Sequence, residues 1–332
     1  MDLPITALAP MQDVTSLGFM QVIASYGSPD YWFTEYFRVY ADSRLEGEIL
    51  RSITENTTGK PIFAQMIGES IPDLIRTAKE LAKYAIAGID LNLGCPAPRV
   101  YRKNVGGGLL RDPARVGQIL AALRSEIPGK FSVKMRLGFD HTESFLRILE
   151  LINLYQVDLV SLHGRTVKGG YHSEVRYDLI AIAVNNLNCP VLANGNITSA
   201  AVARSVLNHT QAAGVMIGRS AIRNPWIFRQ MGSEPGAEIR LGDVYEYIAR
   251  LVAQVCPKQL QGRSKVNYLK KYLNFIGQSV DPQGQFLRQM RLAQTELELW
   301  RVCDRFLAQQ ADQLYSLEPY AGLVARPSCE VS

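Results

Sequence analysis

Eight short β-rich runs are strung through the first 218 residues, separated by stretches with helical spacing, and that alternation admits few folds. The runs are ITALAP (5–10), YWFTEYF (31–37), PIFAQM (61–66), GIDLNL (88–93), FSVKMRL (131–137), VDLVSLH (157–163), PVLANG (190–195) and AGVMIG (213–218). Between them lie PDLIRTAKELAKYAIA (72–87), DPARVGQILAALRSEI (112–127), HTESFLRILELINLY (141–155) and TSAAVARSVLNHT (198–210). Asp112 ahead of Pro113, and Thr198 ahead of Ser199, read as helix starts. Strands alternating with helices build parallel βα units. Eight such units close a TIM (β/α)8 barrel, and the length up to Arg229 is near that fold's typical size of about 250 residues. An open doubly wound sheet is the alternative. It calls for a G-x-G-x-x-G turn after the first strand, and APMQDVTSLGF has none. The expected fold class is α/β: a TIM barrel.

The full chain, 332 residues, exceeds what one core usually holds. The stretch GSEPGAEIRLGD (232–243) reads as a linker. From Asp243 the β texture ends, and VYEYIARLVAQV (244–255), SKVNYLKKYLNFI (264–276) and FLRQMRLAQTELELWRVCDRFL (286–307) are amphipathic at helical spacing. The expected domains are a catalytic barrel over 1–231, a small all-helical domain over 243–318 and a loose tail over 319–332. No apolar run reaches bilayer length and MDLPITALAP lacks the features of a signal peptide, so a cytoplasmic chain without membrane contact is expected. The five cysteines are odd in number, widely spaced and without C-x-x-C. A disulfide framework or a metal site is not expected from them. A monomer is expected.

A TIM barrel carries its active site at the C-terminal ends of its strands. There this sequence places Pro10 and Met11, Gln65, Asn92 with Cys95 just beyond, Lys134 and Arg136, His163-Gly164-Arg165, Asn194-Gly195-Asn196, and Gly218-Arg219. Gly195, Gly218 and Arg219 fit a phosphate, which binds to backbone N–H groups that glycine leaves accessible. Gln65, Asn194 and Lys134 fit the donors and acceptors of a flat heterocycle. A phosphate-bearing aromatic cofactor is expected, with FMN the obvious candidate. Cys95 itself is either a small buried hydrophobe, the commonest fate of a free cysteine, or a reactive thiol lifted off the strand by Gly94 and Pro96. His141, His172 and His209 receive no role, and Cys189 reads as structural.

The motifs LAPMQDVT, DLNLGCPAPRVYRKNVGGGLLRDP, SVKMRLG, LHGRT, VLANGNI and VMIGR, taken together and in order from about Ala9 to Arg229, resemble the tRNA-dihydrouridine synthase family. GRSKVNYLKKYL resembles that family's helical domain. Parts of the barrel motifs are shared with other flavin barrels such as dihydroorotate dehydrogenases. The resemblance implies an FMN-dependent enzyme that reduces the C5–C6 double bond of a particular uridine in the tRNA D-loop, with NADPH as reductant. It implies hydride transfer from flavin N5 to C6 and a proton from Cys95 to C5. It also implies FMN contacts from Pro10, Met11, Gln65, Lys134, His163, Asn194, Gly195, Asn196, Gly218 and Arg219, and uracil contacts from Asn92 and Arg136 with Lys134. The sequence departs from the family pattern at Asp13, where glycine is frequent, at Ser16, where aspartate is frequent, and at Asn196, where an acidic residue is usual. The chemistry agrees with this transfer. Cations and amides near the ring stabilise a developing enolate, and cysteine thiols, which ionise near about 8.5, still carry a proton at neutral pH.

A uridine inside folded tRNA reaches a barrel mouth only if it is turned out of its stack while the phosphates are held. The net charge is +5. No Asp or Glu occurs from Tyr247 to Val280, a span that holds Arg250, Lys258, Arg263, Lys265, Lys270 and Lys271 interleaved with Tyr268, Tyr272 and Phe275. Lys265, Lys270 and Lys271 are therefore candidate tRNA contacts, as are Arg99, Arg102 and Lys103 beside the cysteine loop. The rival reading of the residues is a small-molecule flavin oxidoreductase of the dihydroorotate dehydrogenase type, which would not compete with tRNA in a gel shift. A non-catalytic RNA-binding protein, the second rival, would purify colourless. TEYFRV (34–39) and Gly106-Gly107-Gly108 lean toward the branch acting at position sixteen, GRSAIRNPWIF (218–228) toward its neighbour.

Overall fold

The computed structural model describes residues 3–171, 173–232 and 238–324. His172, Cys329 and the last part of the tail, 325–332, lie outside the described residues, as does the middle of the expected linker, 233–237.

The β-rich runs form strands β1 (Ile5–Leu8), β2 (Trp32–Phe33), β3 (Phe37–Arg38), β4 (Ile62–Ile67), β5 (Gly88–Leu93), β6 (Lys130–Arg136), β7 (Leu159–His163), β8 (Val191–Asn194) and β9 (Gly214–Ile217). All pair parallel, in the order β1-β9-β8-β7-β6-β5-β4-β2, with β3 also on β4. The two ends of that order meet where Ala7 bridges Tyr31 and the Leu8 N–H donates to the Tyr31 carbonyl at 3.1 Å. The result is a nearly closed eight-stave parallel barrel with alternating helices, the fold that the alternation predicts.

The second stave is the one departure, being two short strands where the sequence reads as a single run. Phe33 pairs with Phe63 but Phe37 pairs with Met66, so the β2–β3 side carries one residue more than β4 between those pairs, as in a bulge. At the break the Gln65 N–H donates to the Thr34 hydroxyl at 3.0 Å instead of to a carbonyl.

Two helix boundaries follow from local chemistry. Pro113–Glu126 starts where expected, with the Asp112 carboxylate accepting from the Arg115 N–H at 3.0 Å. The stretch 286–307 is two helices, Gln285–Leu292 and Glu296–Phe306. Thr295 interrupts it. Its hydroxyl accepts from the Glu298 N–H, and the Glu298 carboxylate accepts from the Thr295 N–H, both at 3.2 Å. This T-x-x-E capping box satisfies donors that a continuous helix would have spent within itself.

The chain divides into two compact units. One comprises Met1–Met20, Pro29–Ile197 and Ala201–Gly218 and contains the barrel; the other comprises Gln21–Ser28, Thr198–Ala200 and Arg219–Ser332 and is helical. Tyr247, Tyr272 and Phe286 are fully buried in the helical unit. There the Tyr315 hydroxyl lies 3.0 and 2.9 Å from the carbonyls of Arg223 and Ile276. Residues from Pro319, expected to be loose, are described up to Val324: Tyr320 N–H donates to Gln278 O at 2.9 Å and Gln278 Nε2 to Leu323 O at 2.9 Å.

Inside the barrel, side chains on one face of each strand recur every second residue. The lower layer is apolar. Ala7, Phe33, Phe63, Leu159, Leu192 and Met216 form one buried cluster, with the rings of Phe33 and Phe63 stacked at 5.0 Å. One or two steps further along the strands the inward positions turn polar, and these carry the site.

Candidate active site

Stepping by two from the apolar layer reaches Gln65 from Phe63, Ser161 and His163 from Leu159, and Asn194 from Leu192. On β5 and β6 the same phase holds Asp90 and Asn92, and Ser132, Lys134 and Arg136. Cross-strand hydrogen bonds join most of these side chains in the interior. The Gln65 amide donates to Asp90 at 2.6 Å, Ser132 donates to the other Asp90 oxygen at 2.6 Å, and Asn92 donates to Gln65 Oε1 at 2.8 Å. On the far side His163 Nδ1 lies 3.0 Å from Asn194 Oδ1, Lys134 Nζ lies 3.5 Å from the same oxygen, and Asn194 Nδ2 donates to the Met216 carbonyl at 2.7 Å.

The loop carrying Cys95 is held from several directions. Asn92 Oδ1 accepts from the N–H groups of Gly94 and Cys95, at 3.0 and 2.9 Å. Arg136, 2% exposed, donates to the Gly94 carbonyl at 3.0 Å and to that of Thr166 at 2.9 Å. The glycine run lies close beneath. A Cβ on Gly107 would stand 2.8 Å from the Cys95 carbonyl oxygen, and one on Gly106 3.1 Å from the Cys95 Cβ. Gly106 also has φ +58°, which glycine adopts without strain. Cys95 itself is half-buried and unpaired with another cysteine.

Burial, reinforced by Arg136, lowers the Lys134 ammonium to about 8. Burial, then Arg136 and Lys134, holds His163 well below the usual histidine range, so its ring is neutral. Burial raises the Asp90 carboxyl to about 6 against the opposing hydrogen bonds from Ser132 and Gln65. Tyr36 at the end of the second stave is raised by burial and next by the neighbouring Cys95.

At the ends of β7 and β8 a cavity of about 480 Å³ is lined by Arg165, Tyr171, Ser173, Tyr177 and Asn196 among others. Gly195 has φ +124° and Asn196 φ +46°, the latter a conformation that asparagine tolerates better than most residues. Tyr177 donates to the Gly195 carbonyl at 2.6 Å. Arg165, which the sequence puts at a strand end without a role, is 3% exposed, with a guanidinium nitrogen 3.3 Å from Asn196 Oδ1 and 3.5 Å from His163 Nε2. The signal that would have found it is LHGRT: an arginine two residues past an inward-facing histidine. Pro10 and Met11 are half-buried after β1. The Met11 N–H donates to Thr15 at 2.9 Å, and a Cβ on Gly218 would sit 3.4 Å from the Met11 sulfur. Asp13, at φ 61°, occupies the left-handed region that glycine favours, and its N–H donates to Glu35 at 2.7 Å. Arg219 opens the short helix Arg219–Arg223 of the helical unit.

Of the candidate RNA contacts, Arg99, Arg102 and Lys103 are exposed on and just after the short helix Pro98–Tyr101. In the helical unit Lys265 pairs with Glu296 at 2.6 Å. Lys270 donates to the carbonyls of Arg291 and Ala293, at 2.8 and 2.5 Å. Lys271 lies 3.9 Å from the centre of the Tyr268 ring. Tyr272 is core rather than surface.

Fold and site together define a (β/α)8-barrel enzyme whose polar groups gather at the C-terminal rim around a cysteine loop. The sequence model of the dihydrouridine synthase family matches residues 7–306. Relatives include tRNA-dihydrouridine synthase B of Pasteurella multocida, 32% identical over 68% of both chains. Another, the protein of that name in Pseudomonas putida, is 36% identical over 68% of this chain and 66% of its own. The tRNA-dihydrouridine(16) synthase of Haemophilus influenzae is 27% identical over 88% of this chain and 96% of its own. The chain belongs to the dihydrouridine synthase family.

Proposed function

We propose that this enzyme reduces the C5–C6 double bond of a D-loop uridine in tRNA, at position sixteen or its neighbour, using FMN and NADPH. The observation that carries the reading is the Cys95 loop, pinned at the same rim as Lys134, His163 and Asn194. The residues fit FMN. The Ser161 hydroxyl is buried without a hydrogen-bond partner among the described residues, in register with Lys134, so the interior has polar capacity to spare. The Arg165 guanidinium beside the Gly195-Asn196 turn suits a phosphate. Gln65, Lys134 and Asn194 suit the ring, Pro10 and Met11 its face, and Gly218 the phosphate end.

When bound, FMN supplies the two electrons. The chain supplies the rest. Lys134 presents positive charge where negative charge builds on the heterocycle, in a site with little water to screen it. Asn92 and Arg136 fix the loop so that Cys95 Sγ holds its proton toward C5. Half-exposure lets Cys95 regain that proton from solvent. Neutral His163 serves as a hydrogen-bonding group without competing for charge.

The barrel unit is the catalytic part and the helical unit grips RNA, with Lys271, beside the Tyr268 ring, among its contacts and the exposed Arg99, Arg102 and Lys103 near the turned-out base. Lys265 and Lys270 act there only in so far as their present partners release them.

The decisive experiment is Cys95→Ala with flavin content, NADPH oxidation and tRNA dihydrouridine all measured. Flavin content and reduction by NADPH should be unchanged. Dihydrouridine formation should fall by about 10²–10⁴-fold, the usual size of a lost general acid. Wild-type rates of tRNA reduction in that variant would refute the assignment.

A further inference from the structure

We infer that Asp90, which lies too deep to touch a substrate, is a positioning residue that sets the orientation of the Cys95 loop through the amides of Gln65 and Asn92. The inference deepens the proposed role of Cys95 as proton donor and rests on it.

The argument is one of hydrogen-bond direction. Asn92 could hold the Cys95 loop in either of two amide orientations, and only one presents an oxygen to the N–H groups of Gly94 and Cys95. The two backbone N–H groups above Asn92 call for that oxygen. The same orientation is enforced from below, two side chains away. An ionised carboxylate only accepts, so Asp90 forces Gln65 to point its NH₂ inward, at 2.6 Å. With that end of the amide turned to Asp90, the Gln65 oxygen is the atom that meets Asn92, which answers with NH₂, at 2.8 Å. The Asn92 oxygen is thereby committed to Gly94 N–H and Cys95 N–H at 3.0 and 2.9 Å. Every link is donor to acceptor, and both ends are fixed by groups that cannot reverse: a carboxylate at the bottom and two backbone N–H groups at the top. Asp90 and Gln65 are each 0% exposed, so water does not satisfy either in place of its partner. Ser132 completes the anchor by donating to the second Asp90 oxygen at 2.6 Å. Lys134 is the cation that faces Asp90 from the adjacent strand.

The chain of amides makes different variants behave differently. In Asp90→Asn the new amide oxygen still accepts from Gln65, and its NH₂ donates to Ser132, whose hydroxyl proton turns away. The order of the relay survives. In Gln65→Leu the relay is cut while Asp90 and Asn92 remain.

The test reads the loop without turnover. Alkylation of each cysteine by iodoacetamide is followed by peptide mass spectrometry in the intact protein, with Cys189 and Cys256 as internal references. Gln65→Leu should change the Cys95 rate by about tenfold, the scale of one lost positioning hydrogen bond, and leave the reference rates within about twofold. In tRNA reduction, with rates normalised to bound flavin because Gln65 is also a proposed ring contact, the same variant should lower kcat by a similar factor with KM for tRNA unchanged. Asp90→Asn should stay within about twofold of wild type on both readouts, whereas Asp90→Ala should follow Gln65→Leu. The inference is overturned if Gln65→Leu and Asp90→Ala leave Cys95 alkylation unchanged, or if all three cysteines shift in parallel, which marks general loosening. Should wild-type protein fail to reduce tRNA while the Cys95-selective effect appears, the proposed function falls and the positioning role stands.

Discussion

Lys134 couples the site to pH. Its unfolded ammonium titrates near 10.5 and its folded one near about 8, so between those values the folded chain binds fewer protons. Stability therefore rises with pH across that window, and the full cost of the buried charge is present below about 8. Hydrogen-bond acceptors of a flavin ring beside Lys134 favour the charged form, so FMN binding should take up a proton, and its affinity should weaken as pH rises past about 8. Flavin fluorescence titrations from pH 7 to pH 10 check this; Lys134→Met should flatten the profile. Asp90 runs the other way. Its carboxyl is raised from 3.8 to about 6, so the folded chain binds more protons in that interval and stability falls as pH rises through it. Above about 6 the cost is full, on the order of 3 kcal/mol. Asp90→Asn should therefore melt higher than wild type at pH 7.5, with the difference shrinking toward pH 4.5. At this scale the sequence was legible wherever strand phase decides. Gln65, Asn92, Lys134, His163 and Asn194 lie at inward positions that a period of two predicts. Asp90 and Ser132 lie at the same phase, but nothing in a linear sequence says that two polar residues one layer deeper will find each other. For Arg136 the family resemblance implies a uracil contact; the structure adds that it donates to the carbonyls of Gly94 and Thr166, a use that depends on where two loops fold back.

Among the elements, the six-residue 3₁₀ segment Gly106–Arg111 is the most demanding. A Cβ on Gly108 would stand 2.5 Å from the Tyr101 carbonyl oxygen, a backbone atom that cannot swing aside. Gly108→Ala should shift the short helix Pro98–Tyr101 and the cysteine loop before it, lowering thermal stability by several degrees and slowing tRNA reduction together. Differential scanning fluorimetry and a dihydrouridine assay on the same preparation measure both. The helix Glu296–Phe306 offers a milder case: Thr295→Ala removes its cap and should cost about 1 kcal/mol in urea unfolding without touching the barrel chemistry. Elements were readable where hydrophobic period and cap agree, as at Asp112-Pro113. They were misread where a period runs unbroken through a cap. Helical spacing continues from Phe286 to Leu307, and only the T-x-x-E pattern at Thr295 marks the break. The second stave misled for a related reason, since YWFTEYF has unbroken β character while one extra residue against β4 divides it.

At the scale of the whole molecule, sequence charge overstates what the helical unit can offer RNA. Lys265 and Lys270 are basic in composition but engaged in structure, one with a carboxylate and one with two carbonyls at the end of a neighbouring helix. Lys270→Ala should therefore act first on stability, by about 2 kcal/mol. Lys271→Ala should weaken tRNA binding uniformly and reduce the salt dependence of log Kd by about one unit of slope. Filter binding at several salt concentrations separates the two outcomes. The barrel carries a different kind of constraint. Stacked phenylalanines and their aliphatic neighbours plug it below the polar layer, so the cup has a single brim. Under the proposed function, a reductant and a nucleobase that both need the same few ångströms of that brim would queue: one would depart before the other arrives, and the turnover cycle would divide into two halves that never overlap in time.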